Sequence, residues 1–82
     1  MTTKQDILAM LTDLLVDEFE LDSSLINMDA QLYQDLDLDS IDAVDLVVKL
    51  REITGTKIEP EAFKQVRTVG NVVDEIYKLK HA

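Results

Sequence analysis

The chain has 82 residues, 17 of them acidic and 8 basic, for a formal net charge of −9. That length makes one domain, residues 1–82, while 46% apolar residues are too many for a disordered acidic tail. The chain has no cysteine, which excludes disulfides, thiolate metal sites and cysteine nucleophiles, and its one histidine, His81, is next to the C-terminal residue.

Thr2 or Thr3 can cap a first helix, with Gln5 at capping-box spacing from Thr2. Leu8, Leu11, Leu15 and Phe19 recur at i, i+3, i+7 and i+11, with Ile7 and Leu14 widening the stripe, which predicts an amphipathic helix over about 3–20. A connection of about 21–39 follows, rich in Asp, Ser and Asn but punctuated by Leu21, Leu25, Ile26, Leu32, Tyr33, Leu36 and Leu38. A connection this long is unusual and tends to be functional. Its leucines predict that it packs on the core.

A second helix starts near Ser40 and stops at Gly55, which can take the left-handed conformation that ends helices. Pro60 suits the first turn of a short helix over about 60–65. Thr68 can cap a last helix over about 69–80, with Val69, Val72, Val73, Ile76 and Leu79 inward and Lys78, Lys80 and His81 at its C-terminal dipole. No stretch alternates with period two, so the expected fold is all-α, a four-helix bundle of three longer helices and one short one.

Two apolar stripes share the second helix. Ala43, Leu46, Val47 and Leu50 form one that suits the core; Ile41, Val44 and Val48 form another, rotated round the cylinder. A small bundle offers one inner side, so the second stripe is expected to be exposed, flanked by Asp42, Asp45 and Glu52. Apolar residues in an acidic surround describe a partner-binding helix. Lys49 stands at i+4 from Asp45, placed to pair with it.

Ser40 opens that helix. As a structural residue it is an N-cap; as a functional one it is an exposed hydroxyl where free N–H groups and the positive dipole end favour a phosphoester. Autonomous nucleophilic catalysis fails for want of a base nearby in sequence. Asp35, Asp37 and Asp39 have the spacing of a calcium loop, but the positions requiring Gly and a bidentate Glu are Ser40 and Leu46, so no calcium site is expected and no metal is assigned.

Charge is uneven. Residues 1–48 hold 12 acidic residues and one base, Lys4, whereas residues 49–82 hold 7 basic and 5 acidic residues. Nucleic acid is excluded as a main partner by this balance. No apolar run approaches the ~18 residues of a membrane span, and the start, MTTKQD, is no secretory leader. A cytoplasmic monomer without membrane insertion is expected.

The segment Asp35-Leu36-Asp37-Leu38-Asp39-Ser40-Ile41-Asp42-Ala43-Val44-Asp45-Leu46 resembles the signature of the acyl carrier protein family, an Asp-Ser-Leu core opening the second helix. Length, acidity and helix order agree, as do Ile58, Val66, Thr68, Val69 and Ile76 downstream. The resemblance implies a non-catalytic carrier. Ser40 would accept 4′-phosphopantetheine from coenzyme A through a phosphopantetheinyl transferase, and the arm's thiol would hold acyl groups as thioesters. It implies that Asp39, Ile41, Asp42, Val44, Asp45, Val48 and Glu52 meet partners with basic docking patches, such as an acyltransferase or a ketosynthase. It also implies that Ala43, Leu46, Val47, Leu50, Phe63, Val66 and Ile76 wall a space that can open for an acyl chain. Ile41 replaces the common leucine, Asp37-Leu38 stands where many fatty-acid carriers have Gly-Ala, and Lys49 and Arg51 add positive charge to the helix. These departures resemble a carrier of a specialised pathway, of polyketide or aryl-polyene type. The alternatives are an aminoacyl or D-alanyl carrier, or an acidic interaction subunit without the arm.

Overall fold

The computed structural model describes residues 3–55, 57–58, 60–63 and 65–81. Three α-helices form: α1 (Lys4–Phe19), α2 (Ser40–Thr54) and α3 (Val69–Lys80), with short 3-10 turns at Ser23–Leu25 and Pro60–Phe63. The short helix expected over 60–65 is this second 3-10 turn, and Lys64 lies outside the described residues.

Each helix starts with the same device. Thr3 Oγ1 accepts the Asp6 N–H at 3.1 Å while Asp6 Oδ2 accepts the Thr3 N–H at 3.4 Å. Asp39 and Asp42 repeat this reciprocal pairing on α2, and Thr68 and Asn71 repeat it on α3. Each pair satisfies two backbone donors that a helix start otherwise leaves open. The sequence expectation of a Thr3 cap is met; its capping box closes on Asp6. The Thr2–Gln5 alternative falls on Thr2, outside the described residues.

Helix ends follow backbone chemistry as well. Gly55 takes the left-handed conformation (φ 64°) and donates its N–H to the Arg51 carbonyl at 3.0 Å. Glu20 ends α1 in the same conformation (φ 56°) without glycine's freedom, a strain of ~1 kcal/mol. Lys80 does not cap its own helix: its Nζ donates to the Thr54 carbonyl at 3.0 Å and so closes the C-terminus of α2.

The core combines Ile7, Leu11, Leu14 and Leu15 of α1 with Leu46, Val47 and Leu50 of α2 and Val69, Val72, Val73 and Ile76 of α3. Ile7 and Leu14, placed at the margin of the α1 stripe by the sequence, are buried, while Leu8 and Phe19 are half-buried. Leu79 is half-buried too.

The long first connection is tied to α3 by backbone bonds. Val69 donates to the Ala30 carbonyl at 2.9 Å and Gly70 to the Met28 carbonyl at 2.9 Å, so loop carbonyls fill two open donors of the α3 first turn. Leu32 donates to the Arg67 carbonyl at 2.9 Å, beside an isolated antiparallel bridge of Gln31 with Thr68. Leu32, Leu36 and Leu38 are buried, as the sequence predicts for this connection. Leu25, in the first 3-10 turn, and Tyr33, in the turn after Gln31, are exposed.

Candidate functional site

The loop leading to α2 closes on itself before it delivers Ser40. Gln31 donates its N–H to Asp35 Oδ2 at 2.8 Å, its carbonyl accepts Asp35 and Leu36 at 2.8 and 3.1 Å, and Leu38 donates to the Leu32 carbonyl at 3.0 Å. Asp37 sits between the buried Leu36 and Leu38 with φ 56°, the left-handed conformation that Asp tolerates better than most residues. The spacing that suggests a calcium loop therefore alternates acidic residues outward with leucines inward.

Ser40 is the first residue of α2 and is exposed. The structure corrects its structural reading as the N-cap: Asp39 holds that place. Asp39 Oδ1 accepts the Asp42 N–H at 2.8 Å, and Asp42 Oδ2 accepts the Asp39 N–H at 3.2 Å. Aspartate and serine are about equally good N-caps, and the Asp39 carboxylate also brings charge to the positive dipole end. The Ser40 hydroxyl is thereby left uncommitted among the described residues. So are the N–H groups of Ser40 and Ile41, while Ala43 already bonds the Asp39 carbonyl at 3.0 Å. An exposed hydroxyl beside two open amides is a mount for a phosphoester, whose anionic oxygens those donors favour.

The second apolar stripe of α2 faces outward, as predicted: Ile41 is 77% exposed, Val44 57% and Val48 44%. Asp39, Asp45 and Glu52 are exposed around it and Asp42 is half-buried. Asp45 does not pair with Lys49. Lys49 Nζ reaches across to Glu18 Oε2 of α1 at 3.5 Å, so the α1–α2 packing supplies a nearer carboxylate than the helix's own turn. Asp45 makes no ion pair among the described residues and stands exposed beside the outward apolar stripe.

On the inner side, Ala43, Leu46, Phe63 and Val66, four of the residues named for the acyl wall, line an apolar crevice. Val47, Leu50 and Ile76 do not reach it and belong to the closed core. Leu32, Tyr33 and Leu38 complete the lining from the first connection. Sequence reasoning assigned Leu32 and Leu38 to general packing and gave Tyr33 no role, although a leucine two residues before Ser40 was an available signal. The free space is about 10 Å³, about enough for one water, so a chain enters only if the walls part. Away from this site, the Ser24 backbone N–H and, secondarily, its hydroxyl hold the Asp22 carboxyl below its usual range.

Comparison with known proteins agrees with this geometry. Residues 9–76 match the family model described as a phosphopantetheine attachment site. Acyl carrier protein 2 of Ralstonia nicotianae is 46% identical over 77 residues, covering 94% of this chain and 95% of that protein. The acyl carrier protein of Myxococcus xanthus is 36% identical over 76 residues, covering 93% and 96%. A solved structure of the acyl carrier protein from Enterococcus faecalis superposes with a TM-score of 0.75 at 26% identity, covering 94% of this chain and 98% of that one. The family-model match defines a phosphopantetheine-attachment class, and the chain belongs to the acyl carrier protein family. Its function is that of an acyl carrier.

Proposed function

We propose that Ser40 is the attachment point and that residues 1–82 form one non-catalytic carrier domain. The observation that carries this is the division of labour at the start of α2, where Asp39 and Asp42 do the capping and the Ser40 hydroxyl stays exposed and unengaged. The 4′-phosphopantetheine arm supplies a flexible tether ending in a thiol that holds an acyl group as a thioester. The chain's own residues do the rest. Ser40 Oγ would form the phosphoester. In a phosphopantetheinyl transferase the pyrophosphate bond of coenzyme A would break, the 4′-phosphopantetheinyl group would pass to Oγ and adenosine 3′,5′-bisphosphate would leave. The hydroxyl proton would go to a base of the transferase, while the open Ser40 and Ile41 amides would favour the anionic oxygens. Ile41, Val44 and Val48 give partner enzymes apolar contact, while Asp39, Asp42, Asp45 and Glu52 attract their basic rims. Acyltransferases and ketosynthases of fatty-acid, polyketide or aryl-polyene-type synthesis fit this surface.

We place the carrier in the cytoplasm as a monomer, a reading that the charge of −9 supports; no helix among the described residues is long and apolar enough to cross a membrane. Intact-protein mass after incubation with coenzyme A, magnesium and a broad-specificity transferase tests the proposal. Wild type gains one phosphopantetheine and Ser40→Ala gains none. Equal gain by both removes Ser40 from the role.

A further inference from the structure

The outward face of α2 changes sign along its length. Ile41, Val44, Val48 and Arg51 fall at i, i+3, i+7 and i+10, so the guanidinium continues the exposed apolar stripe. Past Val48 the stripe runs into a shallow, open groove of about 470 Å³ lined, among the described residues, by Val48, Arg51, Glu52, Gly55 and Lys57. Arg51 and Lys57 are exposed, and among the described residues neither makes an ion pair. Lys49, the other cation of α2, is engaged by Glu18. Glu52 lines the same groove, so its lining among the described residues carries two cations and one carboxylate, against the carboxylates of Asp39, Asp42 and Asp45 around Ser40. Eleven residues separate Ser40 from Arg51, which at 1.5 Å of rise per residue is about 16 Å of helix.

We propose that this face selects a partner of opposite polarity: an amphipathic surface helix with basic residues over the Ser40 end and carboxylates about 16 Å away, seated in the Arg51–Lys57 groove. The inference rests on the carrier reading, in which α2 is the docking helix, and deepens it by setting partner choice and orientation. A uniformly basic partner patch would meet Arg51 and Lys57 with like charge. A bipolar one gains at both ends and binds in a single direction along α2.

The probe is a synthetic helical peptide with an apolar stripe, lysines at one end and glutamates at the other, titrated into the isotope-labelled full chain at 0.15 M salt. Arg51→Glu/Lys57→Glu is compared with Arg67→Glu/Lys78→Glu, which makes the same change in net charge away from this face. The proposal expects about a tenfold loss of affinity in the first variant and less than twofold in the second, with the largest shifts in residues 41–57. Replacing the peptide's glutamates by lysines restores binding to the first variant. Equal losses in both variants, shifts elsewhere, or no binding at millimolar peptide overturn it. The carrier reading is scored separately on the same samples by the mass gain at Ser40: a mass gain with equal losses rejects the polarity alone, and no mass gain rejects the carrier reading.

Discussion

Asp39 and Asp42 cap each other across the first turn of α2, with N–H to carboxylate distances of 2.8 and 3.2 Å, and the serine between them takes no part. With Ser40 proposed as the attachment point, stability and modification would fall to adjacent residues. Asp39→Ala is expected to lower unfolding free energy by ~1 kcal/mol, whereas Ser40→Ala changes it by less than ~0.5 kcal/mol. Urea denaturation of the two variants checks this; a larger loss for Ser40→Ala would make the serine structural.

The same pairing separates two acidic residues that look alike in sequence. Asp42 is part of the cap, but Asp45 is exposed and without an ion pair among the described residues. Asp45→Lys is therefore the cleaner test of docking. It should leave helicity and denaturation midpoint nearly unchanged and slow arm transfer several-fold, with the defect shrinking as salt rises. Transfer at the wild-type rate would remove Asp45 from the partner surface.

Gly70 is held against the first connection. A Cβ at this position would lie 2.8 Å from the Met28 carbonyl oxygen, the acceptor of the Gly70 N–H. The backbone atom cannot rotate away as a side chain would. Gly70→Ala is expected to cost ~1–3 kcal/mol despite alanine's better helix propensity, read from thermal or urea unfolding. Because the connection also leads to Ser40, amide exchange should speed up in residues 28–38 of the variant.

Among the described residues, two other than glycine adopt left-handed backbone conformations, Glu20 and Asp37, each at φ 56°. Relief of strain favours glycine at both, and the greater freedom of glycine in the unfolded chain opposes it. Glutamate tolerates this region less well than aspartate. Glu20→Gly should therefore stabilise by ~0.5 kcal/mol and Asp37→Gly should be near neutral, measured by equilibrium unfolding. The reverse order would contradict this account of the strain.

Much of the fold was legible because its signals are local. Thr68 and Gly55 mark helix limits through side-chain and backbone chemistry that acts within one turn, and α3 spans the predicted 69–80. The two stripes of α2 were legible because helical periodicity alone separates them. What sequence spacing missed depends on tertiary neighbours. Lys49 chose Glu18 over Asp45 because α1 packs alongside, and Lys80 closes α2 because the two C-termini meet. Leu32, Tyr33 and Leu38 line the crevice because backbone bonds fold the first connection over it, and residues without helical or strand periodicity carry no sign of that. Ser40 was read correctly as a place in the fold and incorrectly as its cap, since Asp39 and Ser40 are both favourable caps and only the register of α2 decides between them.

The central claim is that Ser40, and no other hydroxyl, carries the arm. Serines also stand at positions 23 and 24, exposed in the first connection, where the 3-10 turn is too short to present a helix N-terminus. Fragment-ion mass spectrometry of the modified wild-type chain distinguishes them directly. The account predicts the phosphopantetheine mass on the peptide fragment containing Ser40 alone. Its appearance on Ser23 or Ser24, or an unmodified Ser40 in a folded sample alongside a control carrier that is modified, would contradict it.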